Sequence, residues 1–118
     1  MTMYVDGYVL PVPTKNMDAY KEMASLAGKI WMEHGALSYV ECIAEDVKPG
    51  THTSFPQAVK LEEGETVIFS WITYNSREDR DRINAAVMKD PRLKGDVKNM
   101  PFDGKRMFWG GFVPILQF

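Results

Sequence analysis

The 118-residue chain carries two successive strand–helix–strand patterns, and this arrangement constrains its fold more than any other feature. The predicted elements are a strand over 3–12, a helix over 16–34, a strand over 36–45, a strand over 65–74, a helix from Ser76 to about Lys89 and a strand over 105–117. Their order predicts an α+β, ferredoxin-like βαββαβ fold. We expect an antiparallel four-stranded sheet with strand order 4-1-3-2 and both helices on one face. Residues 1–118 are expected to form a single domain, because this length suits one hydrophobic core.

The connections between these elements are predicted as loops. The stretch 46–63 is polar and interrupted by proline and glycine, which favours a loop with a short helical turn from Ser54 to Lys60. The stretch 91–104 has the same character. Ser76, followed three residues later by Asp79, is typical of a capping box at the start of a helix.

Composition excludes several classes of protein. Fourteen basic against sixteen acidic residues give a net charge of −2, which argues against a nucleic-acid partner, since such partners select basic surfaces. No apolar run approaches the ~20 residues of a membrane span, so we expect no membrane partner. The N-terminus lacks the basic region and apolar stretch of a signal peptide, which predicts a cytoplasmic protein. Cys42 is the single cysteine and excludes an internal disulfide.

Apolar residues occupy both faces of the predicted strands. In the strand over 65–74, one face carries Val67, Phe69, Trp71 and Thr73, and the other carries Ile68, Ser70, Ile72 and Tyr74. Two helices cover only one face of a sheet, and large exposed apolar patches are rare on monomers. The sequence therefore predicts a homodimer in which two sheets pack across a two-fold axis as a dimeric α+β barrel. The alternative is a monomer whose long loops fold back over the second face.

Seven short segments, taken in their order and spacing, carry a resemblance along essentially the whole chain. They are Tyr4-Val5-Asp6-Gly7-Tyr8, Gly35-Ala36-Leu37, Val40-Glu41-Cys42, Phe69-Ser70-Trp71, Asp90-Pro91-Arg92, the stretch 100–107 and Gly110-Gly111-Phe112. The chain thereby resembles the YbaA-like family of small bacterial proteins of unknown function. The resemblance implies the dimeric α+β barrel superfamily, whose members include monooxygenases and isomerase-like proteins with pockets between sheet and helices. It implies no particular activity, because the family has no settled one, and the fold alone is a weak guide to function.

Polar residues inside apolar strands are the first candidates for a site. Asp6, Glu41, Ser70 and Arg106 each interrupt such a strand. Because the strands of Asp6 and Arg106 are neighbours in the predicted order, and burial of a carboxylate requires a partner, we expect Arg106 to pair with Asp6 or Glu41. Such a cluster is either an acid/base or anion-binding site, or a structural ion pair of the core or dimer interface.

His34 ends the first predicted helix and is a further candidate. It is either a general base or an axial haem ligand, or a residue stabilised there by the helix dipole. Two histidines and one cysteine, far apart in sequence, offer no metal site. No phosphate-binding loop or dinucleotide fingerprint is present, so we expect no cofactor.

Large aromatic residues are frequent for so small a domain. Tyr8, Trp31 and Trp71 either line a ligand pocket or belong to the core and interface. The leading hypothesis is small-molecule binding, or a cofactor-free oxygenase or isomerase-like activity, in a cleft between sheet and helices. Its catalytic candidates are Glu41, Asp6 and His34, and its ligand-binding candidates are Arg106, Tyr8, Trp71 and Trp31. The ligand would be a small aromatic or acidic compound. The alternative is a non-catalytic dimeric interaction or stress-response module, for which we expect a packed cleft.

Overall fold

A computed structural model describes residues 3–93 and 100–118 of the chain. Its strands are β1 (Tyr4–Pro13), β2 (Ser38–Ile43), β3 (Glu65–Tyr74) and β4 (Phe108–Phe112), and its α-helices are α1 (Met17–Glu33), α2 (Phe55–Ala58) and α3 (Arg77–Met88). The strands form one antiparallel sheet in the order β2-β3-β1-β4. This is the predicted 4-1-3-2 order read from the opposite edge. The predicted α+β fold class is therefore confirmed.

Local sequence signals explain where the helices begin and end. α1 follows a 3-10 turn over Thr14–Asn16, and the chain leaves it through Gly35, whose φ of +113° favours glycine. α3 begins after Ser76, whose side chain accepts a hydrogen bond from the backbone N–H of Asp79, as the capping box predicts. The expected helical turn in the first loop is α2. Of the second predicted loop, residues 94–99 lie outside the described residues.

The predicted strand over 105–117 is too long at both ends. Residues Gly104–Arg106 form a 3-10 turn, because the Asp103 side chain accepts a hydrogen bond from the Lys105 N–H. Residues 113–118 follow β4 and make no strand pairing with the described parts of the chain. Pro114 has no N–H with which to continue the ladder.

One face of the sheet packs against α1 and α3. β1 is central, and its residues Tyr4, Asp6, Tyr8, Leu10 and Val12 point toward the helices. Two clusters fill the layer between them. The first joins Tyr4, Ile72 and Tyr74 to Ile30, Ile83 and Val87, and the second joins Leu10, Val12 and Ile68 to Tyr20 and Ala24. The helices thus cover one face of the sheet, which consists of every second residue of each strand.

The opposite face, here called the open face, is apolar and exposed. Its members include Val5, Val9, Phe69, Trp71, Phe108 and Phe112. In the middle row of the open face, Gly7 of β1 lies between Trp71 of β3 and Gly110 of β4. Two of these three residues are glycines and have no side chain. A concavity of about 700 Å³ lies over these residues. Within residues 3–93 and 100–118, α2 covers a corner of the open face, where Phe55 packs edge-on against Phe69.

None of the helices within the described residues combines the length and apolar character needed to cross a bilayer.

Candidate functional site

A small cavity of about 130 Å³ lies between α1 and the helix-facing side of the sheet. Its lining residues are mainly aromatic and apolar: Tyr8, Leu10, Tyr20, Met23, Trp31, Tyr39, Glu41, Ser70, Trp71, Ile72, Phe102 and Met107. Glu41 is the one charged side chain among these described lining residues. The cavity is therefore an apolar space with a single carboxylate in its wall.

Glu41 is held by two tyrosines. The hydroxyl of Tyr20 on α1 donates a hydrogen bond to Oε1 at 2.7 Å, and the hydroxyl of Tyr39 on β2 donates one to Oε2 at 2.8 Å. Burial, and next the charge of Glu41, raises the pKa of both phenols, so they remain proton donors. Glu41 makes no salt bridge with any residue that the structure describes. Among the described residues, its carboxylate is thus fixed in orientation by the two phenols and makes no ion pair.

Tyr8 contributes a second polar group to the cavity wall. It lies opposite Ser70 on β3 and stacks on Trp109 of β4, with ring centroids 5.8 Å apart. Burial, and next the charge of Asp6, raises its pKa. Its hydroxyl has no hydrogen-bond partner within residues 3–93 and 100–118. As far as the described residues show, the hydroxyl can therefore bond to a molecule in the cavity.

A hydrogen-bonded chain leads from the cavity wall to Asp6. The indole Nε1 of Trp31 donates to Tyr74 Oη at 3.1 Å and to Asn84 Oδ1 at 3.0 Å. The Asn84 amide nitrogen in turn donates to Asp6 Oδ2 at 3.5 Å. Trp31 is thereby held in one orientation by groups on β3 and α3.

Asp6 is completely buried and pairs with Arg80 of α3. Arg80 Nε lies 3.2 Å from Asp6 Oδ1, an ionic contact whose angle does not meet hydrogen-bond geometry. Arg80 also donates through Nη2 to the hydroxyl of Tyr4 at 3.1 Å and lies over that ring. Burial raises the pKa of Asp6, and the Arg80 charge opposes this shift. The pair has the features of a structural ion pair inside the core.

Gly111 of β4 leaves room for this ion pair. It lies opposite Asp6, and a Cβ atom at this position would clash with Arg80 Nη2 and with the Tyr4 hydroxyl. The absence of a side chain at Gly111 therefore lets Arg80 reach over the end of the sheet.

The expected pairing of Arg106 with Asp6 or Glu41 is wrong. Both terminal nitrogens of Arg106 bond to the Glu65 carboxylate at 2.7 Å, and Nε bonds to Asp103 at 3.0 Å. The hydrogen bonds from Arg106 are the main cause that lowers the pKa of Glu65. Arg106 belongs to the 3-10 turn before β4, so it faces the start of β3 and does not line the cavity.

Two further predicted site residues lie apart from Glu41. His34 follows the last turn of α1, and its Nε2 lies 3.6 Å from Asp90, so it is not among the described lining residues. Trp71 borders the cavity from β3, but its indole lies on the open face and packs edge-on against Phe69 at 5.8 Å. The structure therefore brings together Glu41, Tyr8 and Trp31 of the predicted set, with Asp6 behind Trp31.

Sequence reasoning missed the partners that hold these residues. The alternating charges of α3 are typical of a solvated face, yet the spacing of Arg80 by three and seven residues from buried Ile83 and Val87 is the signal of an inward position. Tyr39 is two residues from Glu41 and so shares its face of β2, which the period of a strand indicates.

A larger groove runs along the outside of the same layer, between α1 and β2. It has a volume of about 1050 Å³ and includes Tyr20, Tyr39 and Glu41 in its lining. These three residues therefore form a wall between the groove and the cavity. Gly28 lets α1 approach β2, since a Cβ there would lie 2.9 Å from the Tyr39 ring. Within the described residues, no group of three or more histidine, cysteine or acidic side chains is placed to hold a metal ion.

Comparison with known proteins defines the family. A family model described as "Protein of unknown function (DUF1428)" matches residues 3–104. The chain belongs to this family. The DUF1428 chain is 54% identical over 114 residues to the protein YbaA of Escherichia coli K12, which is described as uncharacterized, with 97% of each chain covered. The YbaA protein of Shigella flexneri gives the same values. The predicted resemblance to the YbaA-like family is therefore confirmed.

Solved structures similar to this DUF1428 member support the fold alone, because their sequence identities are low. A dimeric ferredoxin-like protein from an uncultured marine organism superposes with a TM-score of 0.63 at 10% identity over all of both chains. Rv0793 of Mycobacterium tuberculosis gives a TM-score of 0.51 at 15% identity, covering 99% of this chain and 98% of that one.

Proposed function

We propose that this protein binds a small aromatic compound in the cavity between α1 and the sheet, through a hydrogen bond to Glu41. The observation that carries the proposal is a carboxylate fixed by two phenols, without an ion pair to any described residue, in a wall that is mainly apolar and aromatic. Two tyrosines leave each carboxylate oxygen with a lone pair that can accept a further hydrogen bond. Ligand sites combine an apolar lining with a few placed polar groups in this way.

The negative charge of Glu41 in the cavity wall favours a ligand that donates a hydrogen bond. Glu41 would repel an acidic compound, and Arg106, the expected partner for such a compound, is engaged by Glu65 and Asp103. A phenol, an aromatic amine or a protonated amine would instead donate to Glu41, while Tyr8 supplies a free hydroxyl. Between the aromatic and the acidic ligand predicted from the sequence, the site favours the aromatic one.

The catalytic form of the proposal assigns proton transfer to Glu41. A cofactor-free oxygenase or isomerase reaction begins when a base removes a proton from the ligand, and Glu41 is the carboxylate in the cavity wall. Asp6 is paired with Arg80 and would act only as a positioning residue for Trp31. His34 lies at the end of α1 beside Asp90 and has no role in this proposal.

The size of the cavity favours a single-ring ligand. Its volume of about 130 Å³ is below the ~300–1,000 Å³ of common ligand pockets. This small volume is also the observation that favours the alternative, a non-catalytic dimeric interaction or stress-response module.

We also propose that the protein is a homodimer formed through the open face. Phe69, Phe108 and Phe112 are exposed there, and such a contiguous apolar patch is rare on a monomer. The middle row of the open face supports this assembly, because a Cβ at Gly7 would meet nothing within 4 Å in the chain itself. The space above Gly7 is therefore open to side chains of a second copy. A dimeric ferredoxin-like protein of similar fold is a precedent for the arrangement.

A fragment screen with matched variants tests the binding proposal. Phenols, anilines, benzylamines and benzoates are tested by ligand-observed NMR against the wild-type protein, Glu41→Gln and Glu45→Gln, an exposed carboxylate just after the same strand. We expect the hydrogen-bond donors (phenols, anilines and benzylamines) to bind and the benzoates not to bind. Glu41→Gln should weaken binding of the donors ~10-fold or more, which is the value of a hydrogen bond to a charged group. Equal binding by Glu41→Gln and Glu45→Gln, or no bound fragment, would overturn the proposal.

A further inference from the structure

Two glycines of the open face have no explanation in the backbone or the packing around them. Gly7 of β1 lies opposite Gly110 of β4, and neither has the positive φ that favours glycine. Within the described residues, a Cβ at Gly7 would meet nothing within 4 Å, and one at Gly110 would meet only the Phe112 ring, at 3.7 Å. Glycine inside a strand often marks the close approach of another molecule. The two glycines therefore indicate that another surface approaches them.

The middle row of the open face also carries one large side chain. The row runs from Val40 of β2 to Trp71 of β3 and then to Gly7 and Gly110. The Trp71 indole packs edge-on against Phe69 and leaves the space above Gly7 empty. We call the space above the two glycines the glycine hollow. One half of the row thus projects from the sheet, and the other half is recessed.

A two-fold axis parallel to the strands brings the projecting half of this row against the recessed half. The sheet order is β2-β3-β1-β4, so its middle lies between β3 and β1. Rotation by 180° about an axis along this middle, between two facing sheets, places β3 of one copy over β1 of the other. Trp71 then faces Gly7 of the second copy, and symmetry repeats the contact. An axis along the row would instead oppose the two tryptophans and leave the glycines facing an empty space.

We propose that Trp71 of each copy packs into the glycine hollow of the other, with the two-fold axis parallel to the strands. The inference rests on the proposed homodimer and deepens it, because it names the contact that fixes how the two copies are placed. Tryptophans seated in pockets near the centre of an interface carry much of its binding energy. Trp71 has this position, since its row is the middle one of the face.

The chemistry and size of the open face favour a second copy as the occupant. The described residues that line the concavity include no charged side chain, so the face carries no net charge that would repel its own copy. The four strands give the face a projected area of roughly 500 Å². The relief of its side chains raises the accessible area toward the ~800 Å² that each partner buries in a standard interface. One copy is therefore large enough to cover the face of another.

Complementary changes in side-chain size test the proposal. Gly7→Leu fills the hollow, Trp71→Ala removes the side chain that occupies it, and the double variant offers the new leucine the space that the indole leaves. Gly104→Leu is the control, because a Cβ there also meets nothing within 4 Å but lies in the turn before β4. The dissociation constant of the dimer is measured by sedimentation velocity over a dilution series. Circular dichroism verifies that each variant is folded.

We expect each single change in the row to weaken dimerisation ~30-fold or more, the effect of losing an interfacial hot spot. The double variant should dimerise more tightly than either single variant, and Gly104→Leu should match the wild-type protein. If Trp71→Ala does not fold, the milder pair Gly7→Ala and Trp71→Phe is compared in the same way.

Three outcomes would overturn the proposal. A wild-type dimer that Gly7→Leu weakens no more than Gly104→Leu would remove the contact and leave the homodimer intact. A double variant weakened by the sum of the two single effects would show that Trp71 and Gly7 do not meet, again without affecting the homodimer. A wild-type monomer at all concentrations would overturn both the contact and the homodimer.

Discussion

Arg80 Nε lies 3.2 Å from Oδ1 of Asp6, whose side chain is wholly buried. A buried ion pair contributes little net stability, because desolvation offsets the attraction, but its disruption leaves an uncompensated charge. The contact fastens α3 to the centre of the sheet and positions the groups behind Trp31.

Arg80→Met is expected to lower the free energy of unfolding by ~3–5 kcal/mol, because Asp6 would be left buried without its cation. The measurement is urea unfolding followed by tryptophan fluorescence. Arg77→Met is the control, since the Arg77 side chain is 71% exposed and pairs only with exposed Asp81 among the described residues. Equal unfolding free energies for the two variants would contradict the assignment of Arg80 and Asp6 as a buried ion pair.

The protonation of Asp6 predicts a pH dependence of stability. Burial raises the pKa of Asp6 above its usual value of 3.8. A group with a raised folded pKa contributes stability that is fully present below its unfolded pKa and is lost as pH rises through its folded pKa. Wild-type protein should therefore lose stability relative to Asp6→Asn as pH rises from about 4 toward neutrality. Thermal unfolding midpoints at several pH values check this, and a difference that stays constant or changes in the opposite direction would refute it.

Gly111→Ala should disturb the same ion pair from β4. The added Cβ would clash with Arg80 and with the Tyr4 hydroxyl, so both side chains must move. We expect a loss of ~1–3 kcal/mol in the free energy of unfolding, the usual cost of overpacking. Gly104→Ala is the control, because its Cβ meets nothing within 4 Å. A Gly111→Ala protein as stable as this control would show that β4 does not constrain Arg80.

Phe69→Asp should weaken the proposed homodimer, because it places a charge in the middle of an apolar interface. Leu26→Asp is the control, since Leu26 on α1 is 39% exposed and Phe69 is 41% exposed. Light scattering across a dilution series should show dissociation of Phe69→Asp at concentrations where Leu26→Asp remains dimeric. The assembly would be excluded if both variants dissociated together or the wild-type protein were a monomer.

Periodicity predicted the topology of this protein but not the partners of its polar residues. The order of strands and helices follows from local spacing, and the sheet order follows from the βαββαβ pattern. Partners depend on register, which local sequence does not contain. The sequence predicts Tyr8 and Trp71 in one pocket, yet Tyr8 is opposite Ser70, so Trp71 points to the other face.

Arg106 illustrates the same limit in a different way. A strand beginning at 105 would have carried it next to β1, but the turn capped by Asp103 delays β4 by three residues. Because β4 begins three residues later, the Arg106 guanidinium faces Glu65 and not the interior of the sheet. Tyr20 and Glu41 are 21 positions apart and meet only because Gly28 lets α1 approach β2.

Gly111 of the edge strand β4 lies against the Arg80–Asp6 pair, so opening of this strand affects proton exchange between Asp6 and solvent. β4 has five residues and is held by β1 along one side, so its detachment is a natural first step of local opening. When β4 leaves, water reaches a carboxyl that is otherwise sealed. We therefore expect the frequency with which this strand frays to limit how fast Asp6 exchanges its proton with solvent.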